Sequence, residues 1–81
     1  MSDKVRYAVK RFPDLAHSIK QYSSDNRFFH GLCEDYGEAV EALHQLESSG
    51  SPRSLDAASC RALVADLERE ILLELHRWID R

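Results

Sequence analysis

Residues 29–46 read FHGLCEDYGEAVEALHQL. Phe29, Leu32, Tyr36, Ala39, Leu43 and Leu46 fall alternately three and four residues apart, which places their side chains on one face of an α-helix. A break of turn-forming residues follows, Ser48-Ser49-Gly50-Ser51-Pro52-Arg53. A second stripe, also in steps of three and four residues, then runs Cys60, Val64, Leu67, Ile71, Leu75, Trp78. Two long apolar-faced helices joined by a short Gly/Pro/Ser loop predict an antiparallel helical hairpin, coiled-coil-like and all-α.

Working outward from the first stripe, Asp25 and Asn26 are both suited to cap the long helix, because either side chain can accept from its free N-terminal amides. Ser23-Ser24-Asp25-Asn26 is a run of cap and turn formers, so a shorter helix carrying Leu15, Ile19 and Tyr22 should end just before it. Pro13 suits a first helical position and disfavours a helical residue before it. The first twelve residues are ambiguous: Val5, Ala8, Val9 and Phe12 have helical spacing, while Val5, Tyr7 and Val9 alternate like a strand. The expected organisation is a basic arm over residues 1–11 and a hairpin domain over 12–81. Its helices should span about 13–23, about 26–48 and about 55–80, the last capped by Ser54 or Asp56. Gly31 and Gly37 interrupt the long helix, each costing on the order of 1 kcal/mol against alanine. Both lie off the apolar seam, so either another segment presses on that side or the helix is locally weak.

In an antiparallel hairpin turning near Ser51, facing residues have numbers summing to about 103. Tyr36 then faces Leu67, Leu32 faces Ile71 and Leu43 faces Cys60. In this register Cys33 and Cys60 stand roughly 15 Å apart along the helices, beyond the ~7 Å between Cα atoms that a disulfide spans. Cys60 is expected as a buried free thiol, and Cys33 as a residue near the edge of the seam, a candidate reactive thiol. The closing helix carries more apolar surface than one partner needs: Ala65, Leu72, Leu75 and Ile79 gather beside the main line. Either the short helix or a second copy of the chain must cover that stripe, and Leu72, Leu75, Trp78 and Ile79 are the candidate protein-binding residues.

Eighty-one residues make one small domain with a marginal core, a size at which self-association is a common source of stability. Two cysteines are too few for a secreted disulfide scaffold, and apolar runs such as Ile71-Leu72-Leu73 are far short of a bilayer span. A cytoplasmic protein without a membrane segment is expected. The net charge of −3 argues against a general nucleic-acid binder. Charge is nonetheless segregated, with six Lys/Arg and three Asp in residues 1–27 and five acids with no Lys or Arg in residues 28–52. The basic arm therefore suits an acidic helix, in its own chain or a partner's.

Phe12-Pro13-Asp14 with Ile19, then Asn26, Phe29, Leu32, Tyr36 and Leu43, resembles the N-terminal pattern of the YdcH-like family, short bacterial proteins classed as a domain of unknown function. Leu63 to Leu75, with Leu67, Glu70 and Ile71, resembles that family's closing helix less closely. The resemblance covers most of residues 12–75 and rests on core and cap positions. It implies a self-associating helical hairpin and carries over no catalytic residue. This chain departs from the pattern in its basic arm and in Glu68, Arg69, Glu70 and Glu74, where the family is usually rich in lysine.

No arrangement of residues points to catalysis. His30 and Cys33 share a helix face, yet no second pair with ligand spacing completes a zinc site. Glu41-Ala42-Leu43-His44 has the E-x-x-H form found in di-iron bundles, but with Leu43 on the seam both ligands point outward. The serines lie in turns and caps, and the three glycines form no phosphate loop. The expectation is a protein–protein interaction module, without enzymatic activity or cofactor, forming a homodimer and binding an unidentified protein. The alternative is a nucleic-acid-associated regulator contacting phosphates through Lys4, Arg6, Lys10 and Arg11.

Overall fold

The structure is a computed structural model describing residues 4–48 and 55–80. It contains four helices: α1 (Val5–Arg11), α2 (Ala16–Asp25), α3 (Arg27–Ser48) and α4 (Leu55–Ile79), with a 3-10 turn at Pro13–Leu15 ahead of α2. No strand occurs among the described residues, so the chain is all-α. The stretch 49–54, with the expected turn near Ser51 and the cap at Ser54, lies outside them, as does the side chain of Asp56.

The ambiguous N-terminal arm is a helix. Val5 and Ala8, three apart, are both wholly buried, and Tyr7, Val9 and Phe12 pack around the same core. Helical spacing wins because it points this apolar set one way, toward α3, whereas a lone strand would leave its backbone donors unpaired. Lys10 and Arg11 occupy the last turn, where positive charge complements the helix dipole. Phe12 closes α1 by donating its N–H to the Ala8 carbonyl, and its φ of −124° and ψ of 69° are the non-helical backbone expected ahead of proline.

Asn26 serves two helices at once. Its N–H donates to the Tyr22 carbonyl at 2.9 Å, ending α2, and its Oδ1 accepts from Phe29 N–H at 2.9 Å, starting α3. α2 continues through the serine pair that suggests an end near residue 23, because the Ser23 and Ser24 hydroxyls both donate to the Lys20 carbonyl at 3.0 Å. Hydroxyls bonded back in this way remain compatible with the helix.

α3 is the central element, contacted by α1, α2 and α4. This shifts its buried face away from the simple seam. Phe29, Cys33, Tyr36, Gly37 and Ala39 are buried, whereas Leu32, Leu43 and Leu46 are half-buried. The glycine question divides in two. At Gly37 a Cβ would lie 2.6 Å from the Lys4 carbonyl oxygen, so α1 is the segment that presses there; at Gly31 a Cβ would meet nothing within 4 Å. On α4, Ala57, Ile71 and Leu75 are fully buried, with Val64, Leu67 and Trp78 packed against the core. Tyr22 stacks on Phe29 (centroids 4.3 Å apart, planes at 21°) and on Trp78 (4.9 Å, 9°), joining α2, α3 and α4 through one aromatic column. Among the described residues no helix is long and apolar enough to cross a membrane.

Candidate functional site

The four residues proposed for protein binding on α4 do not form one outward stripe. Leu75 is wholly buried, Trp78 lies under Tyr22, Leu72 is half-buried, and Ile79 is 48% exposed. α2 accounts for part of this, because its Tyr22 stacks on Trp78 near the end of α4. The short helix thus meets α4 at Trp78 within the same chain, while Ala65 and Ile79 of the stripe stay exposed.

The four cations of the N-terminal segment are likewise dispersed. Lys4 Nζ donates to Glu38 Oε1 at 3.1 Å and lies 3.8 Å from Glu41 Oε1. Its pKa is raised, first by the hydrogen bond to Glu38 and then by the surrounding carboxylates. Arg11 Nε donates to Glu68 Oε2 at 3.0 Å, the same oxygen that accepts from the Tyr36 hydroxyl at 2.8 Å. The basic segment thus meets acids of α3 and α4 in its own chain. Arg6 lies over the Tyr7 ring, its guanidinium carbon 5.6 Å from the centroid, and Lys10 is exposed. Burial raises the Tyr36 hydroxyl pKa first, and its bond to Glu68 adds to the shift.

The two thiols exchange the roles expected of them. Cys33 is wholly buried, and burial pushes its pKa up to about 12; Cys60 is half-buried. Contact of α3 on several sides encloses Cys33, which a two-helix seam would leave at its edge. A thiol held protonated in this way is a poor nucleophile and a poor metal ligand. His30 Nδ1 lies 3.3 Å from Glu34 Oε1, and Glu41 faces Lys4. Among the described residues no three His, Cys, Asp or Glu side chains come together as a metal ion requires.

Apolar surface is exposed elsewhere. Phe28 is 72% exposed and Leu63 50% exposed. A groove of about 400 Å³ is lined by Asp35, Glu38, Ala39, Leu63 and Leu67, from α3 and α4. Asp35 also lines a second groove of about 260 Å³, with Arg27, Phe28, Gly31 and Leu32. Phe28 and Gly37 are nine residues apart, about 180° around the helix, so Phe28 lies on the side of α3 away from α1. Another depression, about 380 Å³, is lined by Tyr7, Lys10, Arg11, Tyr36, Val40, Leu43, His44 and Val64. No protein-family model, no curated protein and no solved structure matches the chain. The surface itself is therefore what bears on function. Phe28 falls one residue off the three-and-four spacing that carries Phe29 into the core, which is the sequence signal that separates the two.

Proposed function

We propose that this chain is a small cytoplasmic protein–protein interaction module without catalytic activity, presenting the α3/α4 groove and Phe28 as its docking surface. The observation that carries this reading is Phe28, an aromatic side chain 72% exposed, lining a groove with Leu32 on a helix that α1, α2 and α4 all contact. A large aromatic held in water costs solubility and recurs as an interface anchor. α3 and α4, in this reading, pair as an antiparallel hairpin. The contacts Tyr36–Glu68 and Ala39 beside Leu63 and Leu67 support that pairing. The YdcH-like assignment is supported to the extent that Ile19, Phe29 and Tyr36 are core residues and Asn26 is a cap, which concerns fold and not activity.

Affinity capture from native cells tests the module. A partner retained by the wild type and by Ile79→Glu, but lost by Phe28→Glu and Leu63→Glu, supports it. Capture indifferent to Phe28 and Leu63 overturns the groove as the site. The phosphate-contact alternative has less support, because Lys4 and Arg11 are engaged by Glu38, Glu41 and Glu68. A salt-sensitive mobility shift abolished by Arg6→Glu with Lys10→Glu would revive it.

A further inference from the structure

We infer that the occupant of this docking surface is a second copy of the chain, with the two α3 helices crossing antiparallel at Gly31. The inference rests on the interaction-module reading and names its partner. Three observations converge on Gly31. First, the glycine has no explanation among the described residues: a Cβ there would meet nothing within 4 Å, yet glycine weakens a helix relative to alanine. Close approach of another backbone is what glycine permits.

Second, the charges around it are self-complementary. Arg27 lies four residues before Gly31 and Asp35 four after, both exposed and both on its side of the helix. Neither has an ion-pair partner within 4 Å among the described residues. An isologous two-fold centred on Gly31 sets Arg27 against the partner's Asp35, and Asp35 against the partner's Arg27, forming the pair twice. Helix α3 is acidic, which by itself would oppose such a crossing. However, Glu34 already faces His30, and Glu38 is bonded to Lys4. Arg27 and Asp35 are thus the charges of this face left without an ion-pair partner among the described residues, beside Glu34, whose contact with His30 offsets its charge only when the imidazole is protonated.

Third, Phe28 sits on the flank of α3 that borders the groove. The same two-fold brings it beside the partner's Leu32, at the mouth of the groove that Leu63 and Leu67 line. An aromatic otherwise in water would then be covered, and twofold symmetry covers both copies at once.

Sedimentation of the full chain at micromolar concentration is the test, with circular dichroism as the control for folding. The wild type is expected to be a dimer. Arg27→Glu and Asp35→Arg should each weaken it at least about tenfold, since each places like charges opposite one another. The double reversal Arg27→Glu/Asp35→Arg should restore most of that loss. Gly31→Leu should give a fully helical monomer, because the site has room for a side chain within one copy but not between two. A dimer indifferent to these substitutions places the interface elsewhere and overturns the crossing. A monomeric wild type also overturns it: if that monomer still captures a Phe28-dependent partner, the module reading stands, and if it captures none, both fail.

Discussion

A Cβ added at Gly37 would sit 2.6 Å from the carbonyl oxygen of Lys4 and 2.8 Å from its Cβ. Glycine here is the condition for α1 to lie against α3. Gly37→Ala should destabilise the fold by about 1–2 kcal/mol, the overpacking cost exceeding the helix-propensity gain of about 1 kcal/mol, because the obstructing atoms are backbone. Gly31→Ala, measured at a dilution where the chain is monomeric, should gain up to about 1 kcal/mol. Urea denaturation of the two variants checks the opposite signs.

Glu68 joins three helices. Its Oε2 accepts from Arg11 of α1 and Tyr36 of α3, with its side chain 22% exposed. Glu68→Ala should cost about 1–2 kcal/mol, a bond to an ionised acceptor being worth somewhat more than a neutral one and partial solvation limiting the gain. Arg11→Ala and Glu68→Ala should be less than additive in a double-mutant cycle. Full additivity would show that the pair is not coupled.

Tyr22 lies between Phe29 and Trp78 and is nearly buried. Tyr22→Ala should lose about 3–4 kcal/mol, while Tyr22→Phe, which keeps the ring, should lose less than about 1 kcal/mol. Trp78 is the only tryptophan, so its fluorescence reports this column directly. Emission shifted to the red in native Tyr22→Ala, with the fold otherwise intact, is the local signature expected.

The fold should weaken in alkali. Burial raises the Cys33 pKa from 9.0 to about 12 and raises that of Tyr36 as well. Unfolded chains release these protons at lower pH than the native state does, so the native state binds more protons through that interval and stability falls as pH rises. The loss should begin near pH 9, where the unfolded thiol titrates, and approach about 1.4 kcal/mol per pH unit for each group. Cys33→Ala should flatten the onset of this slope. At neutral pH a thiol reagent should modify Cys60 readily and reach Cys33 only after denaturation.

Much of this was legible in residue spacing. The three-and-four pattern of residues 29–46 and 60–78 marks α3 and α4, and the Asn26 side chain marks the boundary between α2 and α3 through purely local capping. Such features depend on neighbours within about one turn, and the chain carries them wherever it folds. The segregation of positive and negative charge likewise announced that the N-terminal segment and α3 are suited to each other. Its form was not announced, because seven residues of mixed period cannot choose between helix and strand without the surface they pack on.

Tertiary structure alone decided which faces remained open. Trp78 read as available until α2 stacked Tyr22 on it, Leu75 until it was drawn into the core, and Cys33 read as an edge residue until α3 was enclosed. Phe28 became informative through its exposure, and Gly31 through the open space a Cβ would meet there among the described residues. A sequence determines what each helix can bury, face by face. Burial itself is a relation between segments distant in the chain, and it is settled only when they compete for the same apolar surface.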